Sequence, residues 1–564
     1  MKADLSKWLK GLSVNVDFSF DFNNLYAKKY SKSSYMYTFQ NDGSYADFSI
    51  GSSLGFGDSL DAYNSQYVFE PSINYNNKFG NHEITGLFLF NAQEFVKKGD
   101  ALTRLPYHRL GFVGRATYGY KGKYLGEVNI GYNGSENFAP GRRFGFFPAF
   151  SIGWVATEES FFNINFIDYL KLRASFGLVG NDQIGGDRFL YLSLWEGADE
   201  AVFGYPNKAG AGGGTKEKRA SNEQLTWEKS KQTDIGIDLG LFQNRISIIA
   251  DWYYNLKTDL LLNVNLPIAS GFGSSMQNVG EIENKGFEFA LNTVNIDTKD
   301  FSWNTSFNIS TNKNKVKKLA TENGRIISDK YITEVGQSIS SFYLMHVVGV
   351  FKDEEDVKKG PIYTPNTQPG DLKFEDVDGN GKITTADKTI VGSPFPDFTW
   401  GLTNSFRYKN LTLSVFINGS HGAENYFGAG EVIMNLAGVQ NQSALINDRW
   451  KSSENPGNGF IPRAIRSDYA LGQSASSRYI FDASYVRIKD ITLSYDFPLE
   501  MLSKIRMKGL NAYFNISNVY TFTKGYPGYD PEASQSGDSV TSAGMDGGVY
   551  PTPRVYTLGL KVAF

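Results

Sequence analysis

The sequence predicts an all-β fold, a transmembrane antiparallel β-barrel, from two observations. The first is the segment from Arg554 to Phe564, in which every second residue is apolar and the residues between are polar or small: Tyr556, Leu558, Leu560, Val562 and Phe564. Successive side chains of a strand point to opposite faces, so this segment has one apolar face and one polar face. The second is composition, with 59 Gly, 33 Tyr and 43 Phe at a mean hydropathy of -0.33. A barrel strand needs only every second residue apolar, which allows such a low mean.

Composition also excludes several classes of protein. No run approaches the roughly 20 apolar residues of a helical membrane span. The net charge of -3 gives no reason to propose a nucleic-acid partner. The absence of Cys excludes disulfides and thiolate metal sites. The first twelve residues, MKADLSKWLKGL, carry charges throughout and have no apolar core, so they do not predict an export signal. We therefore expect either a C-terminal piece of a longer protein or a protein that is not exported.

The alternation of the C-terminal segment recurs along the whole chain and predicts roughly eighteen to twenty strands. The first, from Leu12 to Phe20, is expected to end in a turn at Asn23-Asn24. The other predicted strands are Glu83–Phe90, Gly111–Tyr120, Tyr124–Tyr132, Leu170–Leu178, Ile235–Phe242, Arg245–Tyr254, Gly286–Val294, Trp303–Thr311, Phe398–Tyr408, Leu411–Gly419, Ala483–Phe497 and Leu510–Asn518. The segment from Leu170 places Lys171 and Arg173 on the polar face.

Three segments rich in Gly, Pro, Ser, Asn and charge are predicted to be long exposed connections, namely Gly204–Asn222, Gly422–Gly472 and Lys524–Pro553. None has the length or periodicity of a separate domain. Within Ala483–Phe497 the apolar parity changes across Lys489-Asp490. An inserted residue switches the faces of a strand, so a β-bulge is predicted there.

One motif carries recognisable chemistry, the segment DVDGNGKITTAD at 376–387. It has the oxygen-ligand spacing of a calcium loop, with Gly381 at the sharp turn. The predicted ligands are Asp376, Asp378, Asn380, the carbonyl of Lys382, Thr384 and Asp387. The last position has Asp where Glu is usual, which shortens the arm that would bind calcium through both oxygens. The alternative is an acidic Asx/Gly turn without metal, and both interpretations stay open. No cofactor is required; calcium would be structural.

The sequence contains little that indicates an enzyme. The four histidines, His82, His108, His346 and His421, lie far apart without zinc spacing. The segment AGAGGGTKEK at 209–218 lacks the Gly-Lys-Ser/Thr ending of a phosphate loop. We therefore expect no enzyme. The rival hypotheses are an outer-membrane hydrolase barrel and a soluble or surface β-rich module of the adhesin or glycan-binding kind.

Several segments in a fixed order point to a family. They read SENFAPGRRFGFFPAFSIGW (135–154), LKLRASFGLVGN (170–181), LTWE (225–228), GIDLGLFQNR (236–245), NVGEIENKGFE (278–288), ASYVRIKDITLSYDFP (483–498) and GYDPE (528–532). In content and order the chain resembles the barrel of SusC/RagA-type TonB-dependent outer-membrane transporters of Bacteroidetes. The resemblance implies a barrel of about 22 strands, wide enough to need a plug, with residues 1–564 forming most of that barrel.

The resemblance also implies a function. Such proteins import oligosaccharides, or peptides in some members, across the outer membrane, together with a SusD-like surface lipoprotein and with energy relayed by the TonB complex. TonB acts through an N-terminal plug, which the segments before Leu12 do not resemble. We therefore expect that the chain as given does not perform energised import.

Aromatic residues of the long connections are candidates for stacking on sugar rings. The predicted solute-binding residues are Trp195, Tyr205, Tyr426, Tyr526 and Tyr529. The alternative is that these rings form membrane-interface girdles or pack the connections, because barrels carry such aromatics whatever they transport.

Overall fold

A computed structural model describes most of the 564-residue chain. The described residues are 1–49, 51–99, 104–183, 188–200, 213–321, 323–436, 441–465, 475–502, 507–532 and 543–564.

Strands dominate the described residues. In chain order they are β1 (Lys2–Asp4), β2 (Leu12–Ser31), β3 (Met36–Phe39), β4 (Tyr45–Ser49), β5 (Gly55–Phe79), β6 (His82–Lys97), β7 (Tyr107–Tyr120), β8 (Tyr124–Ser135), β9 (Phe144–Val155), β10 (Ile167–Asn181), β11 (Trp195–Glu200), β12 (Gly213–Glu217), β13 (Glu228–Leu241), β14 (Ile246–Asn265), β15 (Ser274–Asp297), β16 (Phe301–Leu319), β17 (Arg325–Ser328), β18 (Tyr331–Glu334), β19 (Ser341–Met345), β20 (Val347–Val350), β21 (Leu372–Phe374), β22 (Lys388–Gly392), β23 (Phe398–Tyr408), β24 (Leu411–His421), β25 (Glu424–Phe427), β26 (Ile480–Asp482), β27 (Tyr485–Asp496), β28 (Gly509–Thr523), β29 (Met545–Asp546) and β30 (Val555–Ala563).

Helices are few and short. The α-helices are α1 (Glu354–Lys359), α2 (Gly430–Ile433) and α3 (Leu499–Leu502), and single 3-10 turns lie at Ala156–Glu158, Ile268–Ser270, Thr385–Asp387, Ala444–Asp448 and Ser477–Tyr479. Within the described part of the chain, no helix has the length and apolar character needed to cross a membrane.

The chain divides into two compact units. Unit 1 comprises Met1–Ile152, Gly177–Ser230 and Leu261–Asn278. Unit 2 comprises Gly153–Phe176, Lys231–Leu260 and Val279–Phe564.

Seventeen strands belong to one sheet, which confirms the all-β antiparallel fold class. In unit 1, β2 pairs with β5, and β5, β6, β7 and β8 follow as antiparallel neighbours. In unit 2, antiparallel pairs run in order through β16, β23, β24, β27, β28 and β30. The remaining strands form small sheets in the connections, of which the largest contains β17, β18, β19 and β22.

The C-terminal strand shows the predicted parity. The side chains of Tyr556, Leu558 and Leu560 are 62%, 82% and 68% exposed. Thr557 and Gly559 between them are half-buried. On the Gly559 side, the Lys561 ammonium lies 5.6 Å from the centre of the Tyr513 ring. One face of β30 therefore carries large exposed apolar side chains, and the other carries polar groups, as a membrane barrel strand requires.

Most predicted strands exist but extend further than their alternating segments. The predicted turn at Asn23-Asn24 is wrong, because β2 runs through it and pairs Asn23 with Asn64 and Asn24 with Tyr63. The described residues form thirty strands, of which seventeen belong to the large sheet, against the roughly eighteen to twenty strands predicted along the chain. Backbone pairing does not depend on alternating apolar side chains, so a strand can continue beyond the segment in which that alternation is visible.

The predicted bulge is confirmed. Phe416 of β24 pairs with Asp490 and Ile417 pairs with Ile488, so Lys489 is the extra residue. The pairing of β27 with β28, its neighbour on the other side, also shifts register between Ile488 and Asp490. At this position Asn518 of β28 adopts a φ of 54°.

Buried apolar clusters lie mainly in the connections and strand ends. In unit 1, Phe138, Phe147, Leu190, Leu225 and Trp227 form one cluster. In unit 2, the largest contains Tyr331, Phe342, Leu344, Tyr426, Phe427, Met434 and Tyr479. A second cluster there contains Met345, Val347, Val350, Leu372, Phe374 and Ile383.

Candidate functional site

The long connections of unit 2 carry most of the candidate functional residues. The acidic loop follows β21 and ends in the 3-10 turn Thr385–Asp387. Asp376 closes its first half, accepting the Gly379 N–H at 2.9 Å and the Gly381 N–H at 2.8 Å. Gly379 and Gly381 have φ values of 70° and 80°, the left-handed region that glycine adopts without steric cost. Asp376 and these two glycines therefore form a tight turn.

The second half of the acidic loop is tied to the first by Asp387, which is fully buried. Its Oδ1 accepts the Val377 N–H at 3.0 Å and its Oδ2 accepts the Thr384 N–H at 2.7 Å. Burial alone would raise the pKa of Asp387, but these backbone donors outweigh it and lower that pKa. The carboxylate is therefore ionised and fixed in place.

The predicted ligands partly converge. Asp376, Asp378 and Asp387 each offer a carboxylate oxygen, and these oxygens lie within 4.8 Å of one another. Oxygen donors so arranged fit a hard cation such as calcium. Asn380 Oδ1 accepts the Lys382 N–H at 2.8 Å, and Thr384 Oγ1 accepts the Ala386 N–H at 3.1 Å. The residues present fit a cation, and the same hydrogen bonds also give the loop its shape without one.

The predicted solute-binding aromatics differ in their exposure. Trp195 on β11 and Tyr529 are 65% and 75% exposed. Tyr426 is fully buried in the largest cluster of unit 2 and donates to Glu431. Tyr526 is 9% exposed and donates to Asp546 Oδ2 at 2.7 Å. Tyr205 lies outside the described residues. Tyr426 and Tyr526 have no exposed ring face for a solute, because they pack the connections, as the alternative interpretation held.

A buried polar network, which the sequence did not predict, joins the last long connection to β27. Arg487 is 1% exposed, and its guanidinium donates to Asp530 Oδ1 at 2.5 Å and to Glu532 Oε2 at 2.6 Å. Its Nε donates to Thr521 Oγ1 at 2.8 Å. Tyr485 donates to the other Glu532 oxygen. We call these five residues the Arg487 network. The family-like segments ASYVRIKDITLSYDFP and GYDPE supply all of its members except Thr521.

A second arginine pairs with three carboxylates from two other strands, β13 and β14. Arg173 of β10 lies 3.1 Å from Asp234, 3.2 Å from Asp238 and 2.6 Å from Asp251. The sequence predicted Arg173 on the polar face but not its partners, because the acids lie more than 60 residues away in the chain.

The histidines do not converge on a metal. His108 bridges Glu94 and Glu136 at 3.1 and 3.0 Å, and His346 meets Glu375 at 2.8 Å. Across the part of the chain that the structure describes, Asp376, Asp378 and Asp387 are the one group of three or more potential ligand residues with converging atoms.

A cavity of about 1050 Å³ opens among the connections of unit 2. Its walls come from β20, β22, β25, β26 and the turns at Ala444–Asp448 and Ser477–Tyr479. Both charged and apolar side chains line it, including Glu375, Glu424, Arg478, Leu445 and Phe460. No periodic pattern in the sequence indicates this cavity, because its lining comes from segments up to 135 residues apart.

Comparison with known proteins identifies the family. The family model described as "TonB dependent receptor-like, beta-barrel" matches residues 5–519. TonB-dependent receptor P3 of Formosa agariphila is 35% identical over 542 residues, covering 88% of this chain and 52% of the relative. TonB-dependent receptor SusC of Bacteroides thetaiotaomicron is 32% identical over 466 residues, covering 80% of this chain and 43% of SusC. The chain spans about half the length of the curated relatives it matches.

Solved structures agree on the fold. The RagAB peptide transporter matches with a TM-score of 0.76 at 22% identity, covering 99% of this chain and 60% of that one. The RagAB peptide importer in its open-open state matches with a TM-score of 0.78 at 21% identity, covering 99% and 59%. The soluble-module hypothesis receives no support from these matches. The chain is similar to SusC in sequence and to the RagAB transporter in fold. It belongs to the TonB-dependent receptor-like β-barrel family, whose barrels lie in the outer membrane.

Proposed function

We propose that this protein is the barrel of an importer that takes up oligosaccharides or peptides across the outer membrane. The family match over residues 5–519 is the observation that carries the proposal. A SusD-like surface lipoprotein is its partner on the outer side, and the TonB complex supplies the energy through a plug. The outward apolar face of β30 supports contact with outer-membrane lipid.

The test is uptake in the native host. Deleting the gene should abolish uptake of one class of labelled oligosaccharide or peptide, and restoring the gene should recover it. Removing TonB or collapsing the proton-motive force should abolish the same uptake, whereas the protein should remain in the outer membrane. Saturable uptake that persists without TonB would contradict the proposal.

Among the predicted stacking residues that the structure describes, Trp195 and Tyr529 are exposed. We propose that they contact the solute. Trp195→Ala and Tyr529→Ala should each raise the concentration of solute needed for half-maximal uptake, because stacking on an aromatic face contributes roughly 1 kcal/mol. Equal uptake curves for wild type and both variants would reject this role.

We further propose that the acidic loop holds a structural calcium ion through Asp376, Asp378 and Asp387, with Asn380, Thr384 and the Lys382 carbonyl completing the site. Converging carboxylate oxygens support the proposal. Chelation should lower the hydrogen-exchange protection of residues 376–387, and Asp376→Ala should have the same effect without chelator. Identical protection with calcium and with chelator would instead favour the metal-free turn.

A further inference from the structure

The hairpin of β15 and β16 carries a row of lysines near its long connection. Lys285 of β15 and Lys313, Lys315 and Lys317 of β16 are all exposed. We call these four residues the lysine stripe. Lys285 lies directly opposite Lys313 in the antiparallel register. Like charges that face each other across two strands destabilise a sheet, so the folding of the hairpin does not explain this arrangement.

The lysine stripe continues the apolar face of the hairpin. On β16 the side chains of Trp303, Phe307 and Ile309 share one face, because they are an even number of residues apart. The lysines of β16 follow on that same face. Val316 lies between two of them in sequence, points to the opposite face and is completely buried. The lysine stripe therefore lies on the face that meets lipid lower in the strand.

The position of the lysine stripe along β16 matches the outer edge of the membrane. The turn before β16 is short, residues 298–300, whereas the connection between β16 and β23 is long, residues 320–397. Outer-membrane barrels have their short turns in the periplasm and their long connections outside. Lys313 follows Trp303 by ten residues. At about 3.3 Å per residue and a tilt of about 40°, this distance spans about 25 Å of membrane, which is the height of the apolar band.

The lysine stripe has more positive than negative charge. Glu283 lies beneath it, with Oε1 3.2 Å from Lys285 Nζ and Oε2 3.3 Å from Lys317 Nζ. In the part of the chain that the structure describes, the other two lysines of the stripe have no carboxylate within ion-pair distance. The next pair along the hairpin, Glu281 opposite Lys318, adds no net charge. Four lysines and one carboxylate thus leave three positive charges without a partner charge.

Aromatic side chains adjoin the lysine stripe. Tyr254 of β14 donates to Glu283 Oε2 at 3.3 Å, and its ring stacks with that of Trp252, with the ring centres 6.4 Å apart. Trp252 is 44% exposed, and Phe287, two residues from Lys285, is 45% exposed. Rings of this kind lie at the boundary between acyl chains and headgroups in membrane barrels. A molecule bound here would therefore meet positive charge beside an apolar surface.

We propose that the lysine stripe binds the phosphate of an outer-leaflet lipid, whose acyl chains pack against Phe287 and Trp252. Lysine ammonium groups bind phosphate as compact charges with three donors each. The phosphate of a membrane lipid lies just above its acyl chains, which is the level of the lysine stripe. A water-soluble anion would use the lysines but not the adjoining rings. The inference rests on the outer-membrane location and is independent of the proposed import function.

Equilibrium binding of radiolabelled lipid A, a phosphorylated glycolipid, to the purified protein in an uncharged detergent tests this inference. Enzymatically dephosphorylated lipid A has the same sugars and acyl chains and is the matched probe. We expect the phosphorylated form to bind at least about 25-fold more tightly, because two lysines without a carboxylate contribute about fivefold each, or about 1 kcal/mol each. Raising the salt from about 0.1 M to about 1 M should reduce this difference, since the screening length falls from about 10 Å to about 3 Å.

Four variants assign the affinity to the lysine stripe. Lys313→Gln and Lys315→Gln should each weaken binding of lipid A about fivefold and leave the dephosphorylated form unchanged. Both positions are exposed, so the substitutions should not disturb folding. Glu283→Gln keeps an acceptor for Tyr254 and removes the negative charge, so it should strengthen binding of lipid A. Lys299→Gln, at an exposed position in the short turn at the other end of the hairpin, is the matched control and should change nothing.

Several outcomes would overturn the inference. Equal affinity for lipid A and its dephosphorylated form would show that the lysine stripe does not bind phosphate. Equal weakening by Lys299→Gln and Lys313→Gln would show attraction by overall charge rather than a site. Displacement of lipid A by an equal concentration of inorganic phosphate would assign the site to a free anion. Displacement by soluble polyglutamate would assign it to an acidic protein. The proposed import function does not depend on any of these results, because they are measured without TonB or a transported solute.

Discussion

Two regions of unit 2 place their large apolar side chains in opposite environments. On β30, Leu558 and Leu560 are 82% and 68% exposed. In the connections, Phe342, Tyr426 and Tyr479 are completely buried. The strand surface has no protein to cover it and meets lipid, whereas the connections meet water and must form a core of their own. Large apolar side chains are therefore exposed on the strand β30 and buried in the connections of the same chain.

The difference predicts where substitutions act. Apolar groups on the strand surface tolerate changes of size but not charge, because lipid adapts its shape and cannot solvate an ion. The cores of the connections tolerate neither, because interiors are close-packed. The substitutions below test both halves of this comparison.

The largest effect is expected at Arg487. Arg487→Ala leaves Asp530 and Glu532 without their cation and should destabilise the protein by about 3 to 5 kcal/mol, as for other broken buried ion pairs. Limited proteolysis should then cut the connection between β28 and β30 faster than in the wild type, and urea unfolding measures the loss. The control is Lys489→Ala, because Lys489 is the bulge residue next to the network. Equal protection of both variants would show that the network does not hold this connection.

The next effect concerns the lipid face of β30. Leu560→Lys should cost about 2 to 4 kcal/mol if Leu560 lies near the bilayer midplane, because a cation there has no water. Lys561→Leu on the opposite face should be mild, since only the contact with the Tyr513 ring is lost. Unfolding of both variants in lipid bilayers measures the difference. Equal tolerance would reject the assigned parity.

Sequence alone predicted the first region and not the second, for a physical reason. In β30 and β23 the contrast between lipid and water repeats every two residues, so a local pattern identifies the strand. The core of the connections has no repeat, because Tyr426 and Tyr479 meet across more than 50 residues. The Arg487 network likewise joins Arg487 to Asp530 across 43 residues. Its two segments were recognised as family-like, but no local pattern indicated that they touch.

The candidate site likewise has a part that the sequence predicts and a part that it does not. The acidic loop was predictable, because spacing within twelve residues determines which oxygens converge. Tyr426 and Tyr526 were predicted to be accessible because their segments have an exposed composition, yet both are buried. Composition averages over a connection and does not show which of its aromatics form the core. The cavity beside Glu424 needed the fold, since its lining is assembled from distant segments.

Replacing a glycine by alanine should also distinguish the two regions, with a smaller loss of stability. A Cβ at Gly430 would lie 2.8 Å from Phe427 Cδ1 and 3.0 Å from Tyr479 Cδ1, both in the packed core. Gly430→Ala should therefore cost about 1 to 3 kcal/mol, the usual range for overpacking. A Cβ at Gly559 would lie 2.2 Å from Tyr513 Cζ, the far end of a ring on the polar face of the strand. That ring can turn aside, so Gly559→Ala should cost less. Urea unfolding of the two variants compares them, and the reverse order would contradict a rigid core in the connections.

The smallest effect is a pH dependence at Asp530. Burial alone would raise the pKa of Asp530, but hydrogen bonds from Thr552, the Glu532 N–H and Arg487 lower it below its ordinary value of 3.8. A carboxyl whose pKa is lower in the folded state stabilises that state fully above the unfolded pKa, and the stabilisation is lost as pH falls through the folded pKa. The contribution of Asp530 should thus be complete at neutral pH and should begin to be lost as the pH falls below about 4.

Asp530→Asn tests this dependence, because the amide keeps the size of the side chain and does not titrate in this range. Wild type should lose more stability than Asp530→Asn when urea unfolding is repeated between neutral pH and pH 3. Asp300→Asn, at an exposed position, is the control and should follow the wild type. If the two stability profiles of wild type and Asp530→Asn run parallel through this interval, Asp530 is not the carboxylate that links the last connection to acid stability.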